Sequence, residues 1–516
     1  SKGNCELSSG VYSRVTTPAY RATIWRSTDG LNWTQACPNS STKQVRIIST
    51  GTASDLGVIA TSGDVRIVEA IFGYGPDAPG PPTAGSAMYV YAAGHLDTYE
   101  VLSTGGRSSD VSIRTGDYAC TGPTLIEGSV TVAAGDADLT NTCIVQKTVF
   151  ASGAISLTTY SQVLGDVISS GAGVTISNST VVVGGSVYAN GSMTNHGDIN
   201  QSVNATGAIS LVVGSNVGGN VWSGLSVAIS APVGGSVTTP GPASFTSTAR
   251  VTGDVTIGGI LTYGKLKNAE AAAALTSQGI VQGTISYLVP GIASPIAKEA
   301  PIVADWVDVA YTYSEWQDAG FTQEIAWPSQ FGCRLGDSDS TLPGGDLYPF
   351  YQQLKNLNTP TVIDARSCTS VNGDIELSLK TDVAFIANNF NYDVVRITSA
   401  DGESHRIWFI VPDVQPTVLG PQCVRHSSSF TINTPSSIGE NVVAMAYAPC
   451  SIAINNGTVW RGQLYSGSMN GGGGTRQLYF IPIGVPGSDV GGGTTPPTTY
   501  SVGELISQRN RSDSGE

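Results

Sequence analysis

Residues 181–221 read VVVGGSVYANGSMTNHGDINQSVNATGAISLVVGSNVGGNV. Apolar residues come singly or in short runs, separated by glycine and small polar residues, with almost no charge. A globular core needs longer apolar runs, and a disordered tail holds fewer valines and isoleucines. The stretch therefore specifies something extended and repetitive. Outward from it, a small residue or two followed by Val or Ile returns as GSV (128–130), GDV (165–167), GSV (185–187), GDI (197–199), GNV (219–221), GSV (235–237), GDV (253–255) and GTI (283–285). From Val167 to Val255 the steps are 20, 12, 22, 16 and 18 residues, a mean near 18. Units of this size cannot bury their apolar faces alone; stacking them as coils of a solenoid buries each against the next. Val and Ile point inward, Ser and Thr face water, and Gly and Asn take the corners, where positive φ is cheap. Eight such marks predict a rod roughly 35–45 Å long at the strand spacing of about 4.8 Å. A β-sandwich of glycine-rich hairpins is the alternative.

The flanks have a different texture. Residues 1–118 hold strand-like pieces, YRATIW (20–25), KQVRIIST (43–50), GDVRIVEAIFGY (63–74) and AMYVYAAG (87–94), and read as a small antiparallel sheet domain. Residues 119–290 are the solenoid, with the helix former AEAAAALTSQ (269–278) lying across its end. Residues 291–487 carry longer apolar strands and two short helices, one opened by a capping box at SEWQ (314–317) and one over DLYPFYQQLKNLN (346–358). This part reads as a β-rich C-terminal domain, and residues 488–516 as a flexible linker and tail. The fold class expected is mainly β: a small N-terminal antiparallel sheet, a central β-solenoid and a C-terminal β-rich domain with a few short helices.

Only 12% of the 516 residues are charged and the net charge is −14, without a basic run, which argues against binding nucleic acid or an anionic membrane surface. The eight cysteines form no CxxC pair, so zinc is a poor reading. They fall into sequential couples, Cys5/Cys37, Cys120/Cys143, Cys333/Cys368 and Cys423/Cys450, separated by 32, 23, 35 and 27 residues. Local disulfides in an oxidising compartment are expected, sequential pairing being the simplest of many connectivities and buried free thiols the alternative.

Three local patterns carry a family resemblance. RIISTGTASDLGVIATSGDVRIVEAIF (46–72) resembles a pilin hairpin in which a strand ending in STGTA returns through RxVEA. The Gly-Asp/Ser-Val coils resemble a polymer-forming, bactofilin-like β-helix. HRIWFIVPD (405–413), AYAPCSIAINNGTVWRGQLYSG (446–467) and IPIGVPG (481–487) resemble the C-terminal region of such proteins. The chain thus resembles the ectodomain of a type IV pilin-like protein, more narrowly a large minor pilin of Actinobacteria. The resemblance implies an extracellular, cell-surface filament subunit or tip adhesin. Its partners would be other pilins and a surface or glycan ligand, and its only membrane contact an N-terminal helix upstream of Ser1.

Signatures of catalysis are sparse: HExxH, GxSxG and the full phosphate-cradling GxxxxGK[ST] are missing from the sequence. His95, His196, His405 and His426 lie in unrelated segments and read as turn or surface residues. Asp166, Asp198 and Asp254 recur at Gly-Asp corners, either as a row of acids along one edge or as caps of their own turns. No catalytic residue and no cofactor is expected, apart from Ca²⁺ at GDSDSTLPGGD (336–346). There Asp337, Asp339 and Asp346 could supply hard oxygen ligands, although the Gly and distal Glu of an EF-hand are missing. Trp25, Trp33, Tyr188 and Trp222 are leads for contact with a sugar or partner. The rivals to a non-enzymatic filament adhesin are a polysaccharide-binding or -cleaving β-helix and another cell-surface structural protein. A sortase-linked protein fits less well, since TLPGGD (341–346) is internal.

Overall fold

A computed structural model describes residues 11–14, 19–52 (except 30–31, 36–37 and 39–41), 65–76, 85–299, 302–328, 333–335, 347–413, 420–423, 428–490 (except 456, 471–473 and 489) and 500–511. The protein is mainly β and forms two compact units, residues 1–83 with 495–516 and residues 84–494.

The smaller unit is an antiparallel sheet of Val11–Arg14, Ala19–Ser27, Gln44–Thr52, Val65–Pro76 and Tyr500–Arg511, in that order. Gln44 lies opposite Gly73 and Thr52 opposite Val65, so the expected pairing of KQVRIIST with DVRIVEAIF is present. The tail is not free chain over its whole length: Tyr500–Arg511 pairs with Val65–Pro76. That strand would otherwise leave a row of backbone donors and acceptors unpaired at the sheet edge.

The larger unit is a three-faced parallel β-solenoid. Its first face runs Gln323–Ala326, Thr361–Asp364, Val383–Ile386, His405–Ile410, Val442–Ile454, Val459–Asn470, Met88–Val90, Val111–Ile113 and onward to Ile285–Ser286. At the join Leu464, Tyr465 and Ser466 pair with Met88, Tyr89 and Val90, and Arg476–Tyr479 pair with Tyr99–Leu102. The expected boundaries at 118/119 and 290/291 therefore separate nothing. AMYVYAAG is a solenoid rung, and the β-rich region after 291 is more of the same rod. The chain enters at mid-rod, winds to one end near Ser286, runs back as an extended strap, and winds from the far end to the middle. At about 4.8 Å per rung the rod is roughly 80 Å long, about twice the expected length.

Valine sets the register. Val111, Val130, Val149, Val167, Val187, Val203, Val221, Val237 and Val255 stack in one row, each 0% exposed. Each such burial contributes about 1.5–3 kcal/mol. Coils measured along this row are 16 to 20 residues long. The odd steps of 12 and 22 vanish, because the mark at 197–199 belongs elsewhere. Asp198 and Ile199 pair with Val182 and Val183 on the third face, and Val203 of QSV is the true rung. Glycine serves a purpose other than the one expected. A Cβ on Gly185 would stand 2.5 Å from the Gly165 oxygen and one on Gly241 1.5 Å from the Leu225 oxygen, at ordinary φ. These corners need glycine because successive coils touch backbone to backbone.

A helix packs into the coils near each end of the rod, while the terminal first-face strands Gln323–Ala326 and Ile285–Ser286 each pair on one side. Helix α1 (Asn268–Ser277) inserts into the last coil and buries Ala271 and Leu275 in the solenoid core. Helix α2 (Tyr313–Asp318) follows the strap; Thr312 is its N-cap without a side-chain bond, so the expected capping box does not form, whereas Gly320 at φ +97° ends it as expected. Helix α3 (Leu347–Lys355) packs Phe350, Tyr351 and Leu354 into the core near the opposite end, and Tyr351 Oη donates to the Glu376 carbonyl at 3.0 Å.

Three of the four expected disulfides are present: Cys120–Cys143, Cys333–Cys368 and Cys423–Cys450. Cys5 and Cys37 lie outside the described residues. Such bonds point to an oxidising, extracellular setting. No described helix is long and apolar enough to cross a membrane.

Candidate functional site

The three faces are dressed differently. On the first, the outward side of the C-terminal rungs is apolar: Val362, Ile386, Trp408, Ile410, Met445 and Tyr447 form a second core under the strap and α2. The strap is tied down along its length. Trp222 Nε1 donates to the Ala293 carbonyl at 3.0 Å, and Lys298 lies over the Tyr188 ring at 3.4 Å while pairing with Asp166. Tyr89 Oη donates to the Ala304 carbonyl at 2.9 Å, and Arg114 Nε to Asp305 at 2.8 Å. Tyr188 and Trp222, leads for ligand contact in the sequence, thus hold the strap. Trp25 and Trp33 both stack on the Arg46 guanidinium in the smaller unit.

Among the described residues, none forms such a cover over the long middle of the second face. Its outward positions in register are His95, Ala119, Asp138, Ser156, Thr175, Thr194, Ser210, Ala228, Ser244 and Thr262. Small and hydroxylated side chains make this surface flat and almost uncharged. Near its C-terminal-coil end it deepens into a cleft of about 440 Å³ beside the Cys423–Cys450 bond, lined by Asn389, Asn391, Ser429, Thr431, Ser451 and Ser468 among others. The cleft is internally braced. Asn389 Nδ2 donates to Ser370 Oγ at 2.9 Å, the Ser429 amide donates to Asn389 Oδ1 at 3.0 Å, and Ser429 and Ser451 share a hydroxyl hydrogen bond at 3.0 Å. Asn391 accepts from Asn433 through Oδ1, and among the described residues none bonds its Nδ2 or the Thr431 hydroxyl, both residues lining the cleft. The lining carries no charged group. A smaller depression of about 360 Å³, lined by Thr194, Ser210 and Ser244 among others, continues the face in the other half of the rod.

The aspartates of the Gly-Asp corners divide. Asp166 Oδ1 accepts the Ser186 amide and Asp254 Oδ1 the Thr284 amide, both at 2.8 Å. Each therefore caps the next coil and not its own turn. Ser186, Ser202, Asn220 and Ser236 do the same in the coils between. Asp198 sits on the third face, outside this ladder, so no row of three acids forms. His95 meets Thr121 Oγ1, and His405 meets Asp401 at 2.8 Å, which holds the Asp401 carboxyl down at about 2. His426, Asp337, Asp339 and Asp346 lie outside the described residues, and among the described ones no three His, Cys, Asp or Glu gather as a metal site.

One pair of acids escaped the sequence reading. Trp306 Nε1 on the strap donates to Asp413 Oδ2 at the end of IVPD at 3.3 Å, and burial first, then the neighbouring Asp413, push the Asp308 carboxyl above its ordinary range. Nothing in ADWVDVA (304–310) marks this arrangement, since Asp308 and Asp413 are 105 residues apart in the sequence and come near one another only through the strap. Comparison of the chain with family models, with curated proteins and with solved structures gave no match.

Proposed function

We propose that this is a non-enzymatic extracellular surface-attachment protein, displayed on a pilin-type filament, which binds uncharged polysaccharide along the open second face. The observation that carries the reading is the contrast between faces: one sealed by a strap, the other left bare, polar and neutral. A rigid rod gives reach, and a braced cleft binds without a large ordering cost. Neutral amides and hydroxyls, repeated each rung, match the chemistry of a sugar chain lying along the axis. They offer no attraction to phosphate or sulfate. The filament assignment rests on the paired hairpin of residues 44–52 and 65–73 together with the extracellular disulfides.

Affinity electrophoresis through gels containing neutral or acidic polysaccharides tests it. Retardation is expected only in neutral gels, and Asn391→Trp, which fills the cleft from an exposed position, should weaken it at least about tenfold. Equal mobility in every gel would refute the glycan reading. Release of reducing ends during the assay would favour the cleaving alternative.

A further inference from the structure

The hydrogen bonds around the cleft beside Cys423–Cys450 have a sense that can be followed atom by atom. Asp393 starts one series, because its carboxylate oxygens only accept. Asn433 Nδ2 reaches Asp393 Oδ1 at 3.4 Å and Asn391 Oδ1 at 3.0 Å. Asn433 therefore gives its hydrogens to this pair, and Asn391 meets it with Oδ1. Both hydrogens of Asn391 Nδ2 are left over. In the adjacent series the backbone fixes the sense. The Ser429 amide can only donate, so Asn389 receives it on Oδ1 at 3.0 Å and gives Nδ2 to Ser370 Oγ at 2.9 Å. Ser370 Oγ passes its own hydrogen to Asn372 Oδ1 at 3.1 Å, and Ser468 Oγ gives its hydrogen to the Cys450 carbonyl at 3.0 Å. Ser429 and Ser451 use one hydrogen between two hydroxyls, which leaves one over.

The balance is uneven. The side-chain oxygens of Asn389 and Asn391 already accept, whereas among the described residues none accepts from Asn391 Nδ2, from the Thr431 hydroxyl or from the second serine of the Ser429–Ser451 pair. Asn391 and Thr431 lie directly opposite one another in neighbouring parallel strands. Phe390, Tyr392, Phe430 and Ile432 on either side of them are buried, so both turn outward over the same cleft. Surplus hydrogens are met by an atom that only accepts. A sugar hydroxyl brings a hydrogen of its own, which needs a further acceptor; an acyl carbonyl brings none. The Cys423–Cys450 bond adds a soft, apolar wall to the cleft.

We propose that the cleft reads the acetamido group of an N-acetylated sugar: its carbonyl accepts from Asn391 Nδ2 and Thr431 Oγ1, and its methyl lies against the disulfide. Resting on the glycan reading of the second face, this narrows the ligand from neutral polysaccharide to neutral polysaccharide that carries N-acetyl groups. A carboxylate is also an acceptor without a hydrogen, but Asn391 shares Asn433 with the Asp393 carboxylate, and a second anion there would face that charge across one amide side chain. The selection is local to the cleft. The depression in the other half of the face is lined by hydroxyls as its polar side chains, which donate and accept alike and so hold a sugar chain without choosing its substituent.

Calorimetric titration of the full chain with β-1,4-linked oligosaccharides of equal length, one of glucose, one of N-acetylglucosamine and one of a uronic acid, tests the cleft. The N-acetylated chain should bind at least about tenfold more tightly than the glucose chain, as one or two added hydrogen bonds allow. Asn391→Asp replaces the donating amide with an acceptor of equal size. It should lower the N-acetylated chain to the affinity of the glucose chain while changing the glucose chain less than about twofold. Thr431→Val removes the second donor and should cost part of the preference; it stands in should Asn391→Asp fail to fold. Equal affinity for the glucose and N-acetylated chains would overturn the acetamido assignment and leave the glycan reading standing. Tightest binding of the uronic chain, or a preference for N-acetyl groups that survives both substitutions, would overturn it too. Should none of the three bind, the assignment falls, and the polysaccharide gels decide whether the glycan reading falls with it.

Discussion

At the scale of single residues, the solenoid runs on two rules the sequence displays and one it conceals. Valine at each rung and small residues at each corner are visible in any window of the repeat. Why the corner residue must be Asp, Ser or Asn is visible only in three dimensions: its side-chain oxygen accepts an amide one coil away. The rule separates aspartates that look alike. Asp254→Ala should destabilise the rod by about 1 kcal/mol, since it leaves the Thr284 amide without its acceptor. Asp198→Ala, in an equally conspicuous GDI, should change stability by less than about 0.5 kcal/mol, because Asp198 caps no coil. Denaturant midpoints of the two variants measure the difference. Equal losses would mean that the ladder is not the reason for the motif.

At the scale of elements, local chemistry predicted existence better than role. The helix over 269–278 was legible from its alanines, and its position across the rod end followed from the need to close an open edge. The strap was not legible. Residues 287–312 contain neither period, and what holds them is a series of contacts with rungs up to 215 residues away in sequence. The disulfides were legible as couples because each joins chain segments close in sequence. With separations of 23, 35 and 27 residues, each is worth about 3–4 kcal/mol through restriction of the unfolded chain. Calorimetry with and without a thiol reductant should therefore show a large fall in melting temperature. An unchanged melt would show that the rod's stability does not draw on these bonds.

At the scale of the whole molecule, the join at mid-rod has consequences for how the chain can be divided. A fragment cut at the texture change, such as 119–290, would keep α1 at one end and expose a bare rung of Leu125, Val130 and Val132 at the other. It should aggregate. Residues 84–290 and 302–490 produced together should instead associate, because Met88–Val90 and Leu464–Ser466 are made to pair. Co-purification of the two halves, followed by size-exclusion chromatography, checks this. Two independently monomeric halves would contradict the continuous solenoid.

Period, composition and cysteine spacing by themselves determined that this chain would be a β-solenoid with local disulfides, because those properties arise from residues within one or two coils of each other. The tertiary structure alone decided that the C-terminal strands extend the same rod, that the last segment returns to the first sheet, and that a strap seals one face and leaves another open. Each of these depends on pairings hundreds of residues apart. A parallel rung accepts any neighbour of matching width and pattern, so the local sequence says that a rung must be covered without saying which stretch of the chain covers it.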